Sequence, residues 1–193
     1  MSVEIGEAGS RVAAEEGLDV GRRERSGLLL TVVRDVRLLI VALWLGAAVF
    51  FGAAVAPSAF AVLRKFAAPH ANELAGSIVT RTLSVINTGG FVVGLLLLAS
   101  AFLFSSAVSR RALYAEVISL LLLAITTGVG QWVIAAKMLA LRAAMGRPID
   151  EVAQNDPLRL AFNSLHGYSV AALGIGIIAA AVALLLIARR DRV

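Results

Sequence analysis

The chain contains no cysteine among its 193 residues. Disulfides, thiolate metal sites, iron–sulfur clusters and cysteine nucleophiles are therefore excluded. Charged residues are also scarce, at 16% of the chain, whereas about a quarter of the residues of a soluble domain are charged. Hydrophobic residues make up 59%, and the mean hydropathy is +0.86. Because so few charges cannot cover a globule with polar surface, the composition predicts an integral membrane protein.

Motifs for catalysis and for nucleic-acid binding are absent as well. The sequence has no Gly-x-Ser-x-Gly, His-Glu-x-x-His or Walker loop. The net charge is +5 and the pI is about 10.7, but many Lys and Arg residues flank apolar runs, where they anchor helices at lipid headgroups. No basic stripe with interleaved aromatic residues is present. We therefore expect a non-enzymatic protein that contacts membrane lipids and binds no nucleic acid.

Four long apolar runs follow one another, over residues 38–63, 84–108, 113–136 and 165–188. A hydrocarbon core about 30 Å thick is crossed by about 20 helical residues, at roughly 1.5 Å per residue. Each run is long enough, and the first contains no charged residue. The pattern predicts an all-α fold: an integral membrane four-helix bundle with short interfacial helical extensions.

Residues 1–27 differ from the rest of the chain, because they mix charged residues with Gly and Ala and have no apolar core. They lack the continuous apolar region of a signal peptide. We expect a mobile N-terminal tail here, either disordered or with a short interfacial helix that begins near Leu28. Residues 28–193 are predicted to form one four-span transmembrane domain.

The connection between the third and fourth runs carries clear helix signals. Helical character continues to Met145, where Gly146 and Pro148 stop it. Asp156 then precedes Pro157, the pattern of an N-cap followed by proline at the first helical position. The third helix is therefore predicted to extend to Met145, and the last helix to begin at Pro157.

Basic residues near the spans indicate the orientation in the membrane. An even number of spans places the N-terminus, the second connection and the C-terminus on one side. Lys and Arg are more numerous on that side, which includes Arg110, Arg111 and Arg189. Because cytoplasmic segments carry the excess of Lys and Arg, both termini are predicted to lie in the cytoplasm.

Small residues recur at four-residue spacing on every predicted span. Such residues let helix backbones approach closely in lipid, where no hydrophobic drive brings helices together. The stripes predict a compact bundle, and they leave open a homo-oligomer formed through the same faces. The residues are Ala48, Gly52 and Ala56, then Gly90 and Gly94, then Ala124 and Gly128, and finally Ala172, Gly176 and Ala180.

Polar residues inside a membrane are costly, and they are candidates for function. They fall here into three patches, each on one helix face, and the predicted topology brings all three to the extracytoplasmic end of the bundle. The patches are Thr80, Ser84 and Asn87 on the second span, Thr127, Gln131, Met138 and Arg142 on the third, and Asp156, Arg159, Asn163 and His166 on the helix that enters the fourth.

Two interpretations of these patches stay open. In one, they form a pocket for a small ligand or lipid, with His166 and Arg142 at its centre. In the other, the polar groups hydrogen-bond one another and hold the helix ends together near the headgroups. The candidate site consists of His166, Asn163, Arg159, Arg142, Gln131 and Asn87.

Metal and proton chemistry have few candidate residues. The only histidines are His70 and His166, both on the predicted outer side, whereas zinc and haem sites usually show tighter ligand spacing. We therefore expect no metal site and no cofactor. Glu116 is the one carboxylate inside a span, and we expect it to extend to the interface beside Arg110 and Arg111 rather than to relay protons.

Two segments at opposite ends of the chain carry a family resemblance. Residues 43–51 read LWLGAAVFF and are followed by APSAF at 56–60, while residues 162–169 read FNSLHGYS. This resembles the transmembrane protein 205-like family, known in bacteria as domain of unknown function 4149. That family has Trp-x-Gly, aromatics and Ala-Pro in its first span, and Leu-His-x-x-Ser at the start of its last. The resemblance covers roughly residues 36–188, although Leu173 stands where the family often has asparagine.

The resemblance implies a bacterial four-helix membrane protein, hence one of the inner membrane, with no established activity. The leading hypothesis is a non-enzymatic protein that binds a small ligand or lipid at its outer end. One alternative is a metal- or haem-handling protein similar to the copper-resistance membrane domains, with His166 as a ligand. The other is an oligomeric transport or efflux component.

Overall fold

The computed structural model describes residues 4–102 and 109–189, with the backbone alone for residues 4–26. Almost all of these residues are helical, and no strand occurs among them. The helices are α1 (Glu4–Phe50), α2 (Ala56–Lys65), α3 (Ala71–Ala101), α4 (Arg110–Gly128), α5 (Ala135–Met145) and α6 (Pro157–Ala188). Two π-helical segments, Phe51–Val55 and Val129–Ile134, join α1 to α2 and α4 to α5, and a 3₁₀ turn forms at Ile149–Glu151.

Within the described residues, four helical segments are long and apolar enough to cross a membrane: Gly27–Lys65, Ala71–Ala101, Arg110–Met145 and Pro157–Ala188. The predicted all-α, multi-pass membrane bundle is thus confirmed. The helices begin earlier or end later than several predicted runs because their polar end turns stay helical outside the apolar stretch. The predicted second run extends to Val108, and its last residues, 103–108, lie outside the described part of the chain.

The contacts divide the chain into two units, residues 1–37 and 38–193. In the first unit the backbone is helical from Glu4 onward, and Arg34 forms an ion pair with Asp35 at 2.8 Å. The mobility expected for residues 1–27 stays a prediction. The second unit contains the bundle described below.

The predicted helix boundaries around the last connection are confirmed. The Asp156 carboxylate accepts a hydrogen bond from the Leu158 backbone N–H at 2.8 Å, so it caps α6. Helix α5 ends at Met145, and Gly146 follows with φ of 64°. Glycine adopts this left-handed conformation without the steric cost that a side chain adds.

The first π-helical segment lies just before Pro57, at the start of α2. Proline has no backbone N–H and its ring disturbs the preceding helical turn. The hydrogen bonds widen at this place, with the Ala56 N–H donating to the carbonyl of Phe51, five residues earlier. A single helical path through the membrane is thereby kept despite the proline.

The core of the bundle is packed from four helices. It consists of Val41, Trp44 and Ala48 on α1, Leu97 on α3, Leu120 and Leu123 on α4, and Ala179, Ala180 and Ala183 on α6. All three α6 residues of this core are alanines, so α6 and α4 approach closely along their length.

Several of the predicted small residues lie at these contacts. A Cβ atom added at Gly94 would lie 3.0 Å from the Ala124 Cβ, and one at Gly90 would lie 2.7 Å from Trp44. The absent side chain at Gly90 lets the Trp44 indole N–H donate to the carbonyl of Ile86 at 2.9 Å. Gly52 differs, because an added Cβ would meet nothing within 4 Å.

Candidate functional site

A dense polar network lies at the end of the bundle that carries the α2–α3 and α5–α6 connections, hereafter the pocket end. Arg142 on α5 forms an ion pair with the Glu73 carboxylate in the first turn of α3, and also donates to the Glu73 carbonyl at 3.3 Å. The other Glu73 carboxylate oxygen accepts the Ile149 backbone N–H at 3.1 Å. Glu73 therefore joins α3, α5 and the 3₁₀ turn.

Asp150 joins the same 3₁₀ turn to the start of α3. Its two carboxylate oxygens accept hydrogen bonds from the Asn72 side chain at 2.5 Å and from the Glu73 backbone N–H at 3.0 Å. Asn72 in turn accepts from the Arg64 Nε at 3.0 Å. Because the first N–H groups of a helix have no partner within it, Asp150 acts as a cap supplied from a distant part of the chain.

The ionisation of Asp150 reflects this role. Desolvation raises the pKa of its carboxyl group, but the hydrogen bonds from Asn72 and from the Glu73 backbone outweigh that effect and hold the pKa below its ordinary value. Asp150 is therefore a carboxylate at neutral pH.

Beside this network lies a cavity of about 430 Å³, the cationic cavity, which is surrounded by α2, α3, α5 and α6. Three arginines and a histidine line it, and no aspartate or glutamate of the described residues does. Its lining residues are Phe60, Arg64, Asn72, Gly76, Val79, Thr80, Met138, Arg142, Ile149, Arg159, Phe162, Asn163 and His166.

A second cavity of about 830 Å³, the long cavity, adjoins the first and extends along α3 from Glu73 to Asn87. Its other walls come from residues 131–143 of the third span and from Phe162, His166 and Ser169 on α6. The residues that line both cavities form a shared wall: Val79, Thr80, Met138, Arg142, Phe162 and His166.

All six residues of the predicted site line these cavities. The cationic cavity holds Arg142, Arg159, Asn163 and His166, and the long cavity holds Asn87, Gln131, Arg142 and His166. Their role in binding a ligand stays a prediction. Thr80 and Met138, from the same polar patches, line both cavities, and Ser84 lines the long one.

Two other patch residues lie away from the cavities. Thr127 is buried, donates to the carbonyl of Leu123 in its own helix at 2.7 Å, and packs where a Gly90 side chain would be. Asp156 caps α6. Each of these two residues shares a helix face with residues of the cavities, but neither lines a cavity. Thr127 lies too deep in the bundle, and Asp156 precedes α6.

The arginines of the cationic cavity differ in their partners. Arg142 is neutralised by Glu73, and its guanidinium lies 5.7 Å from the Phe162 ring centroid. Arg159 donates to the carbonyl of Val152, and Arg64 to Asn72. Within the described part of the chain, neither Arg64 nor Arg159 pairs with a carboxylate. Arg64 is connected to the Asp150 carboxylate only through the Asn72 amide, so two guanidinium groups of the cavity have no direct ion pair among the described residues.

Two polar atoms in the cavity-lining residues are buried without a hydrogen-bond partner among the described residues: Gln131 Oε1 and Arg142 Nε. The Gln131 amide nitrogen donates to the Ser84 hydroxyl at 2.9 Å, so one end of the amide is fixed and the other is not satisfied. A buried polar atom left without a partner costs about 1–3 kcal/mol. Both atoms are closed to a water-sized molecule, so each is an uncompensated polar group within the cavity wall.

Gln131 lies in the second π-helical segment, Val129–Ile134. Single π turns within α-helices are rare and occur frequently at functional sites. The neighbouring Gly130 packs on Asn87, with an added Cβ only 3.0 Å from its amide nitrogen. Asn87 is 4% exposed, and the contact with Gly130 holds the third span against α3 at the deep end of the long cavity.

The two histidines do not share a cavity. His166 lines both cavities, whereas His70 lines neither and lies 3.5 Å from the Glu151 carboxylate at the exposed surface. Among the described residues, no three His, Asp or Glu side chains are grouped so that they could hold a metal ion. His70 and His166 therefore do not both line either of these two cavities.

Sequence reasoning missed the acidic half of the site. Glu73 and Asp150 lie outside the apolar runs, in segments that looked like ordinary polar connections. Glu116 also differs from expectation: it is 1% exposed and does not extend to the surface beside the exposed Arg110 and Arg111. It shares the inward face of α4 with the buried Leu120 and Leu123.

Comparison with known proteins gives a family and no function. No curated protein and no solved structure matches the chain significantly. The profile of one protein family matches residues 39–147, from the first span through the end of α5. Since the match covers more than half of the chain, this multi-pass membrane protein belongs to the family described as Domain of unknown function (DUF4149).

Proposed function

We propose that the protein is a non-enzymatic protein of the bacterial inner membrane that binds a small ligand or lipid in the two cavities at its pocket end. The observation that carries the proposal is the combination of adjoining cavities with buried, unpartnered polar atoms in their walls. Cavities of about 300–1,000 Å³ with mostly apolar walls and a few convergent polar groups are typical of ligand sites.

The alternative, a purely structural clamp, accounts for only part of the pocket end. Glu73, Arg142 and Asp150 do hold the helix ends together through hydrogen bonds. A clamp alone, however, calls for close packing and for mutually satisfied polar groups. Gln131 Oε1 and Arg142 Nε are not satisfied by the described residues, and both side chains border open volume.

Binding without catalysis is the reading that the side chains favour. The Ser84 hydroxyl accepts a hydrogen bond from the Gln131 amide, and an amide cannot take the proton of a serine as a general base does. His166 lines both cavities, but no hydrogen bond from its ring to a hydroxyl or carboxylate is seen within the described residues. The Glu73 carboxylate already forms an ion pair with Arg142 and accepts a hydrogen bond from the Ile149 backbone N–H, so it is not placed as a general base.

The orientation belongs to the same proposal: both termini in the cytoplasm and the pocket end on the opposite side. It rests on the excess of Lys and Arg on the side of the termini. Kinship with the transmembrane protein 205-like family rests on the motifs at residues 43–60 and 162–169, the second of which lies beyond the matched residues 39–147.

A cavity-filling substitution tests the proposal. Thr80 belongs to the shared wall, so Thr80→Trp would occupy both cavities. The matched control is Ile118→Trp, because Ile118 lines neither cavity and is 64% exposed on α4. Native mass spectrometry of protein released from mild detergent would compare the small molecules that each form retains.

We expect the wild type and Ile118→Trp to retain the same bound species and Thr80→Trp to lose it. An identical set of bound molecules in all three would overturn the ligand site and leave the clamp. Should the bound species prove to be a metal or haem that His166→Ala abolishes, the metal-handling alternative would replace the proposal.

A further inference from the structure

We propose that the ligand is an anionic membrane lipid, with its acidic headgroup in the cationic cavity and an acyl chain in the long cavity. The inference rests on the proposed function, since it names the chemical class of the ligand for the same site. It is carried by two arginines of the cationic cavity that form no ion pair among the described residues, and by the apolar side chains that line part of the adjoining long cavity.

The headgroup end is set by the arginines. Arg64 and Arg159 reach the cationic cavity without a carboxylate partner in the described part of the chain, and no acidic residue lines that cavity. Guanidinium groups bind carboxylates and phosphates through paired, charge-assisted hydrogen bonds. An anionic headgroup carries the acceptor oxygens that Arg64 and Arg159 do not find in a described carboxylate.

The acyl end is set by the long cavity. Leu83, Ala135 and Leu139 give it an apolar stretch, beside the charged Glu73, Arg81 and Arg142, and the Asn87 and Gln131 amides lie at its deep end. At about 1.5 Å per helical residue, the cavity extends about 21 Å along α3 from Glu73 to Asn87. One leaflet of hydrocarbon is about 15 Å deep, so a cavity of this length is longer than a headgroup needs and extends over the depth that an acyl chain occupies.

Access from the bilayer follows from the helix arrangement. Helix α3 packs closely along α4, whereas few of its residues approach α5, so the long cavity lies where α3 and α5 diverge. Two of its lining residues, Val85 and Leu139, are each 69% exposed on the outer surface of the bundle. A lipid could therefore enter sideways from its own leaflet, with its headgroup remaining at the level of the helix ends.

The test compares lipids that differ in headgroup charge. Purified protein in a neutral detergent would be titrated with phosphatidylglycerol, phosphatidylcholine or inorganic phosphate, and the midpoint of thermal unfolding recorded. Arg64→Gln and Arg159→Gln remove the unpaired cations one at a time. Arg111→Gln is the matched control, because Arg111 is exposed and lines neither cavity.

We expect phosphatidylglycerol to raise the unfolding midpoint at lower concentration than phosphatidylcholine, and inorganic phosphate to have no effect. Arg64→Gln and Arg159→Gln should each weaken the phosphatidylglycerol response about tenfold, as expected for the loss of a charge-assisted contact, while Arg111→Gln should not. Arg159 also donates a hydrogen bond to the Val152 carbonyl, so Arg159→Gln could unfold the protein. In that case the result for Arg64→Gln decides the test.

Equal responses to the two lipids, or equal losses in Arg111→Gln, would overturn the inference. A response to inorganic phosphate that matches phosphatidylglycerol would assign the site to a free anion instead. The lipid titrations test the class of ligand, whereas the Thr80→Trp experiment tests whether the cavities bind a ligand at all. If the wild type retains a bound species that Thr80→Trp loses, but shows no preference for anionic lipid, the site stands and only its ligand class is wrong.

Discussion

The middle of the bundle and its pocket end are built from the same helices but follow opposite packing rules. In the middle, glycines and alanines bring backbones together, and an added methyl group at Gly90 or Gly94 would collide with Trp44 or Ala124. At the pocket end, large polar side chains such as Arg142 and Glu73 bridge the helices and leave open volume between them. Close backbone packing therefore holds the middle of the bundle together, whereas polar bridges around open volume hold the pocket end.

The largest effect is expected in the middle, from Gly90→Ala. The new Cβ would lie 2.7 Å from Trp44, so the indole and its hydrogen bond to Ile86 must shift. Overpacking of this kind costs about 1–3 kcal/mol. The measurement is the midpoint of thermal unfolding in detergent.

Gly52→Ala is the control for that prediction, because an added Cβ at Gly52 meets nothing within 4 Å. Alanine is the better helix former by up to about 1 kcal/mol, so this variant should be neutral or slightly more stable. If both variants unfolded alike, close packing in the middle of the bundle would not be the reason for Gly90.

A smaller effect is expected from breaking the bridge at the pocket end. Glu73→Gln removes the ion pair with Arg142 while keeping the shape of the side chain. We expect a loss of about 1–2 kcal/mol, since the pair is only partly buried and its charge-assisted hydrogen bonds are worth about 1.5–3 kcal/mol. A double-mutant cycle with Arg142→Gln would measure the coupling, and additive losses would show that the two side chains do not stabilise each other.

The loss of the α6 cap comes next in size. Asp156→Ala removes the acceptor for the Leu158 N–H and should cost about 1 kcal/mol. Asp156→Ser should restore most of that stability, because serine is also a good N-cap. Thermal unfolding of the two variants would show whether the cap or the negative charge matters.

The smallest expected effect is a dependence on pH through Asp150. Hydrogen bonds from Asn72 and Glu73 to its carboxylate hold its pKa below the ordinary value. Its contribution to stability is therefore complete above the pKa of the unfolded chain and disappears as the pH falls through the lower pKa of the folded protein. The stability difference between wild type and Asp150→Asn should shrink on acidification from neutral pH. A constant difference would contradict this role.

The spans, the close-packed glycines and part of the cavity walls could be predicted from the sequence, because they depend on local patterns. Apolar runs gave the spans, spacing by four residues marked Gly90 and Gly94, and helical periodicity grouped Gln131 with Arg142 and Asn163 with His166. Each of these signals lies within one helix, where the 3.6-residue repeat relates sequence to position.

The remainder depends on contacts between distant segments. Asp150 caps α3 from a connection far along the chain, and Glu73 meets Arg142 across two helices. No local pattern pairs such residues. The π-helical segment that holds Gln131 was equally unseen, because no sequence motif marks it, and its Gly130 packs against Asn87 from a distant part of the chain.

The accessibility of the shared wall can be measured with thiol reagents, because the wild-type chain has no cysteine that would react with them. Single-cysteine variants Thr80→Cys and Ile118→Cys would be treated in spheroplasts with a charged, membrane-impermeant thiol reagent. The account predicts that Thr80→Cys reacts from the outside and is protected by added phosphatidylglycerol, whereas the lipid-facing Ile118→Cys does not react. A Thr80→Cys variant as unreactive as Ile118→Cys, or one modified only from the cytoplasmic side, would contradict it.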